Sequence, residues 1–254
     1  MDRSAYQQFL ELERTHWWFR GRRSVYLGLL AHFLKEQRPE RVLDLGAGLG
    51  GFLQGLQDLA APGARVFPSD VDAESLVAIA ERGFPGGVVA SGEALPYRDA
   101  AFDLVCMFDA LEHTEDDRAV MHEVARITRP GGHVFISVPA YQFLYANNDR
   151  VVHHYRRYRR GRLNDLFART GFEPVRNTHS NVFLFPLILP AVLGIKALEK
   201  LFNKEAQSDH TNLSWPMPAL AHDLLHGIFK AELPFSKRFG WPVGHSICAL
   251  ARRV

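Results

Sequence analysis

The residues best suited to chemistry fall in four clusters. The first, Asp44-Leu-Gly46-Ala-Gly48-Leu-Gly50-Gly51, is a glycine-rich turn between an apolar run, Arg41–Leu45, and a helical one. Glycine lets the backbone approach a ligand closely, and the N–H groups that open a helix favour electron-rich groups. The spacing satisfies G-x-G-x-x-G through Gly46, Gly48 and Gly51, so a dinucleotide is one reading. Asp70 follows about 20 residues on, where an acid accepts hydrogen bonds from both ribose hydroxyls and does not suit a 2′-phosphate. In the second cluster, Asp109-x-x-Glu112-His113, the histidine is either a backbone-bonded helix-start residue or a general base near neutral pH. The third, Arg150 to Arg162, holds six arginines, His153 and His154, and no acid after Asp149. Guanidinium groups grip phosphate or carboxylate in a fork, so Tyr155, Arg156, Arg157 and Tyr158 are expected to bind an anionic substrate, with a solvated basic loop as the plain alternative. The fourth, His16-Trp17-Trp18-Phe19-Arg20-Gly21-Arg22-Arg23, reads as helix packing or as a lid whose arginine meets a bound ligand.

These clusters need a frame, and the middle of the chain supplies one. Short apolar runs alternate with helical spacing. Strands are expected at Arg41–Leu45, Val66–Asp70, Val88–Ala90, Phe102–Phe108 and His133–Val138. Helices are expected around Phe52–Leu59, Leu76–Ala80 and Val120–Ile127, the last ended by Pro130-Gly131-Gly132. Such alternation means a parallel sheet covered on both faces, with ligands beyond the carboxyl ends of the strands. Further on, Leu163–Thr170 reads as a helix, Glu173–Thr178 as a sixth strand and Ser246–Ala251 as a final one. Tyr6–Leu34 reads as two helices. Helical patches are expected near Ala191–Phe202 and Ala219–Lys230. We expect a single domain over residues 1–254, with residues 1–36 as an N-terminal helical lid and 181–242 as a helical insertion before the last strand.

Composition narrows the classes. The chain has 254 residues, of which 47% are hydrophobic and 23% charged, enough for one large domain with a filled core. Lys+Arg 30 against Asp+Glu 28 leaves a net charge of +2, so no nucleic-acid partner is expected, although tyrosines interleave the arginines of the basic segment. Two cysteines, Cys106 and Cys248, rule out a disulfide framework and read as buried thiols. Met1–Arg14 is polar, so export is not expected and a cytoplasmic protein is. The longest apolar run, Val182–Ile195, contains Pro186 and Pro190 and is shorter than the roughly 20 residues of a spanning helix. It reads as a buried helix pair, an apolar acceptor tunnel, or a peripheral membrane contact flanked by the basic segment.

Taken together, Val42–Gly50, Asp70, Glu93-Ala-Leu-Pro-Tyr97, Phe102–Val105, Leu111-Glu112-His113 and Arg129-Pro-Gly-Gly132 resemble class I S-adenosylmethionine-dependent methyltransferases in order and spacing, over roughly Arg41–Phe172. The resemblance implies a Rossmann-like, seven-stranded α/β sheet with helices on both faces and an antiparallel last strand. It implies S-adenosyl-L-methionine as cofactor and S-adenosyl-L-homocysteine as product. Asp44, Gly46, Ala47 and Gly48 would lie along the methionine part, Asp70 and Val71 at the ribose, Gly92, Glu93 and Ala94 at the adenine, and Phe108 and Asp109 near the sulfonium. Many relatives carry Asp where this chain has Ser91, which puts the side-chain contact to adenine in doubt. The acid-x-x-Glu-His pattern resembles the divalent-metal site of ubiquinone-biosynthesis O-methyltransferases and small-RNA 2′-O-methyltransferases, completed here by His153 or His154. Most relatives with Leu-Glu-His bind no metal, and none is expected. His-x-Arg-Arg-Tyr resembles a subgroup associated with glycan or lipid-linked sugar metabolism.

The expected function is methyl transfer to a small or lipid- or sugar-linked, anionic acceptor, with His113, His153 and His154 as candidate bases. A nicotinamide-dependent oxidoreductase and a cofactor-binding scaffold without its own activity are the alternatives. The first is disfavoured by the Phe102-Asp103 strand and by Pro130-Gly131-Gly132.

Overall fold

A computed structural model describes residues 11–201 and 217–254. Along the chain these residues form α1 (Trp17–Phe33), β1 (Arg41–Leu45), α2 (Leu53–Leu59), β2 (Arg65–Asp70), α3 (Ala73–Glu81), β3 (Val88–Val89), β4 (Phe102–Phe108), α4 (Asp117–Ile127) and β5 (Thr128–Pro139). There follow α5 (Asn147–Val151), α6 (Arg160–Thr170), β6 (Phe172–Ser180), α7 (Phe185–Leu201), α8 (Ala219–Lys230), α9 (Leu233–Arg238) and β7 (Ser246–Arg253). The strands build one seven-stranded sheet in the order β3-β2-β1-β4-β5-β7-β6. β1 to β5 run parallel, and β7 is antiparallel to both neighbours, as expected for the last strand.

β4 shows how the sheet is held. All seven of its residues are buried. Val105 and Met107 enter the core cluster that includes Val120, Val124 and Leu166 on α4 and α6. Leu104, Cys106 and Phe108 enter the opposite one, with Val25, Tyr26 and Leu30 of α1. Alternating side chains of one strand thus feed two cores, which is what a sheet covered on both faces requires. The second cysteine, Cys248, is buried on β7.

Two segments differ from expectation. β5 begins at Thr128, not His133: Thr128 already pairs with Phe102, and a register shift carries the strand through Pro130–Gly132. A Cβ on Gly132 would lie 3.0 Å from the Asp103 carbonyl oxygen, so the glycines there admit a close strand contact instead of stopping a helix. The 182–195 run is not a buried helix pair. It enters one continuous helix, α7, which starts earlier than Ala191, contains Pro190 and leaves Leu187 and Leu193 exposed. At the N-terminus, Glu11–Thr15 is helical before α1, while 6–10 and Phe202 lie outside the described residues.

α1 is built into the molecule. Its N-cap His16 accepts from Trp18 N–H and is buried, and Tyr26 is fully buried. Arg20 pairs with Asp223 of α8 at 2.7 Å, and Trp17 N–H donates to His222 Nδ1. The helix forms one wall of the cleft described next.

Candidate active site

A cavity of about 630 Å³ opens at the carboxyl ends of β1, β2 and β4. The glycine turn forms its floor. Gly46 N–H and Ala47 N–H both donate to the Ser69 carbonyl, and Gly46 and Gly48 have φ of +74° and +52°. A Cβ at Gly46 would meet Ala110 at 2.5 Å, whereas one at Gly48 would meet nothing within 4 Å, because Gly48 faces the cavity. Asp70 is fixed by backbone: Oδ2 accepts from Gly48 N–H at 2.8 Å and Oδ1 from Asp72 N–H at 3.0 Å. Asp44 is buried beside it, and its Oδ1 has no hydrogen-bond partner. Burial, then the charges of Asp70 and Glu13, push its carboxyl up to about 8.

The wall opposite the turn comes from β4 and α1. Phe108 stacks on Phe52 with centroids 3.7 Å apart. Asp109 sits at φ +50°, its Oδ1 accepting from Ser137 Oγ and its Oδ2 paired with Arg22 at 2.5 Å. Arg22 lies near the Trp18, Phe19 and Phe52 rings. The arginine of the His16–Arg23 cluster therefore meets an acid of β4. Glu13, Arg22 and Arg23 line the cavity, and only the arginines had a signal in the sequence.

Asp44, Gly46, Ala47, Gly48, Asp70, Val71, Gly92, Glu93, Phe108, Asp109, His113 and Tyr155 all line this one cavity. Ala94 does not; it bridges back to Ser91 behind the turn. His153, at φ +60°, is exposed and outside the lining. His154 stands behind His113, ring centroids 4.6 Å apart. Partial desolvation in the cleft, and next the neighbouring His154, push His113 down to about 4.

Behind the histidines lies a buried network that the sequence did not disclose. Asp149 is fully buried; it meets His154 Nδ1 at 2.9 Å and receives Arg157 Nε and Nη2 at 2.8 and 2.9 Å. Burial alone would raise this carboxyl, but the hydrogen bonds from His154 and Arg157 hold it at about 2. The fork of Arg157 is thus spent internally, which corrects its placement at the acceptor. Tyr158 is corrected too: it is fully buried, and its hydroxyl donates to Asp117 and Leu111. Arg156 is corrected as well: it donates to the Glu115 carbonyl, its Nη1 is ion-paired with Asp117 Oδ2 at 3.6 Å, and it does not line the cavity.

Glu112, His113 and His154 each bring one ligand atom within 4.8 Å of the others. Glu112 is fully buried, both of its carboxylate oxygens lack hydrogen-bond partners, and burial followed by Asp109 raises it well above the usual range. His154, not His153, joins this group. Asp109, the first acid of the motif, is turned to Arg22 and Ser137 and takes no part.

Residues 43–136 match the family model for a methyltransferase domain. Residues 43–136 are thus a methyltransferase domain, as the class I resemblance implies. It is 35% identical over 117 residues to a ubiquinone biosynthesis O-methyltransferase of Cronobacter sakazakii, covering 44% of this chain and 47% of the relative. It is 35% identical over 112 residues to a demethylmenaquinone methyltransferase of Corynebacterium efficiens, covering 42% and 47%. The chain thus spans just under half the length of these curated relatives. A SAM-dependent methyltransferase from Thermotoga maritima shares the fold of the domain across 99% of this chain and 96% of its own, with a TM-score of 0.60 and 17% identity. Phosphoethanolamine N-methyltransferase 2 of Haemonchus contortus, solved with S-adenosyl-L-methionine, matches 89% of this chain and 52% of its own, with a TM-score of 0.55 and 19% identity. The cofactor of the methyltransferase family is S-adenosylmethionine. The donor set here fits it, since an orphaned acid, a backbone-anchored acid and an open glycine share the cavity.

Proposed function

We propose that this protein is an S-adenosylmethionine-dependent methyltransferase acting on an anionic acceptor that is either a small molecule or lipid- or sugar-linked. The observation that carries the reading is Asp70, held by Gly48 N–H beside orphaned Asp44 in one cavity. The cofactor supplies the methyl group and its own leaving group, so the protein's part is positioning and exclusion of water. Asp44 would receive the ammonium of the methionine part and Asp70 the ribose hydroxyls. Gly92 and Glu93 would border the adenine. Phe52 and Phe108 keep water from the inner wall. His113, neutral at pH 7, would take the proton of a hydroxyl or ammonium acceptor. Of the basic segment only Tyr155 lines the cavity and would border the acceptor, because Arg156 is taken up by the Glu115 carbonyl and by an ion pair with Asp117. The relatives' names concern ubiquinone biosynthesis and demethylmenaquinone, which supports a small-molecule acceptor.

Calorimetry with S-adenosylhomocysteine tests this. Binding is expected for the parent and none for NAD. Asp70→Ala should weaken the complex roughly 10- to 150-fold, the loss of one charge-assisted hydrogen bond of about 1.5–3 kcal/mol. An unchanged affinity removes Asp70 from the site.

The buried Glu112 carboxylate, which has no hydrogen bond and lies 3.9 Å from His154 Nε2, supports a second reading, in which Glu112, His113 and His154 hold a divalent cation that orients the acceptor oxygen. Metal content after equilibrium dialysis against Zn²⁺ and Mg²⁺ decides it. One equivalent in the parent, lost in Glu112→Gln, would establish this second reading; no retained metal leaves His113 alone as the base.

A further inference from the structure

α7 stands out among the helices. Between Phe185 and Ala197 its only charged residue is Lys196. Leu187, Leu193 and Ile195 are exposed to 68%, 44% and 42%. Folded proteins rarely leave an apolar helix face open without a use for it. Its position is equally specific. Ser180, the last residue of β6, and Pro139, the last of β5, both pair with Ser246 of β7, so α7 departs from the edge of the sheet where the cavity opens. Phe185 at its root stacks on Tyr141, and Lys196 Nζ donates to the Phe143 carbonyl at 2.6 Å, which sets Phe143, 53% exposed, beside the helix.

The acid at this root, Glu232, is fully buried and accepts from Asn181 N–H and Val182 N–H, so it presents no charge to the surface. Tyr141 N–H donates to the Tyr158 carbonyl, which brings the basic segment against the base of α7. Arg150 and Arg159 of that segment are exposed, while Asp149, the acid that precedes it, is buried and paired. An apolar helix beside exposed arginines, at the edge where a reactive cavity opens, is the pattern of a surface that enters a lipid headgroup layer. A second copy of the chain is the competing occupant of this face, and the test below separates the two.

We infer that α7, with Phe143, Arg150 and Arg159, seats the protein on an anionic lipid surface and presents the cavity to an acceptor held there. This rests on the lipid-linked acceptor of the reading above and names the surface that would supply it. Among the described residues no helix is long and apolar enough to cross a membrane, so the contact is one of lying on the surface.

Flotation with phosphatidylglycerol–phosphatidylcholine vesicles and with pure phosphatidylcholine vesicles tests the inference. The parent should float with the anionic vesicles and at least tenfold less with the neutral ones. Leu187→Glu with Leu193→Glu, and separately Arg150→Glu with Arg159→Glu, should each weaken that binding at least tenfold and leave S-adenosylhomocysteine binding unchanged. These are exposed positions outside the cavity, so the ligand also verifies that the variants fold. A parent that does not float, or variants that float equally, overturns the inference. A dimer in sedimentation that Leu187→Glu with Leu193→Glu dissolves, without vesicle binding, also overturns it and assigns the face to a second copy. A parent that floats but binds no S-adenosylhomocysteine leaves the membrane surface standing and overturns the methyltransferase reading instead.

Discussion

The two ends of the cavity are built in different ways. At the end formed by β1 and β2, backbone does most of the work: Gly46 and Ala47 N–H on Ser69, Gly48 N–H on Asp70, and glycines where φ is positive. At the end formed by β4 and β5, side chains do it. Arg22 reaches Asp109 from α1, Asp149 holds both His154 and Arg157, and Glu112 lies buried beside two imidazoles. A backbone cradle tolerates change in most side chains around it but not at its glycines. A side-chain network depends on each charge having its partner. The first suits a ligand shared by a whole family, and the second suits whatever is particular to this chain.

The largest expected effect breaks the backbone end. Gly48→Val puts a branched side chain into the open space beside Asp70, so S-adenosylhomocysteine affinity should fall more than about 100-fold by calorimetry, with circular dichroism unchanged. Normal binding would make the turn structural only. The next effect belongs to the other end. Asp149→Ala leaves Arg157 and His154 without their partner, and a buried ion pair broken on one side costs about 3–5 kcal/mol in urea denaturation. Because the adenosine end is separate, ligand affinity in that variant should stay within about twofold at temperatures where it is folded. A large loss of affinity would mean that the two ends are one unit.

A smaller effect sharpens the comparison through pH. Asp44, held at about 8, is protonated at neutral pH, and the ammonium of the ligand requires it ionised. Binding below pH 8 must therefore release a proton, and affinity should rise by up to about tenfold per pH unit from pH 6 to 8. Calorimetry in buffers of different ionisation enthalpy would count that proton. A flat profile would mean that Asp44 binds its ligand protonated.

The backbone end was legible in the sequence because its signals are local. A strand, a glycine turn, a helix start and an acid at the end of the next strand lie within one short stretch, and the chemistry of each follows from residue type. The network at the other end is not local. Arg157 carries the same sequence signature whether it clamps a substrate or fills a salt bridge, and only the burial of Asp149 decides between them. Glu13 and the Arg22–Asp109 pair depend on how α1 docks, which no spacing within α1 reveals. The strand start at Thr128 was hidden because Pro130-Gly131-Gly132 reads as a stop signal, although here it admits close packing of β5 on β4. α7 was legible as apolar but not as exposed, since periodicity reports composition around a helix and not what stands opposite it.

The place of β7 in the sheet has a consequence for how the protein is made. It lies between β5 and β6 yet follows both in the chain. As the polypeptide leaves the ribosome, β5 and β6 emerge with no strand between them, and one edge of β5 stays unpaired until Ser246–Arg253 is synthesised. An apolar strand with an open edge is a template for a neighbouring chain. Synthesis therefore passes through an interval in which β5 exposes that edge, and the interval closes only when Ser246–Arg253 enters between β5 and β6. Pausing of translation before Ser246 would lengthen the exposure, and a stop there would leave a chain with its glycine turn already formed but no finished sheet to hold it.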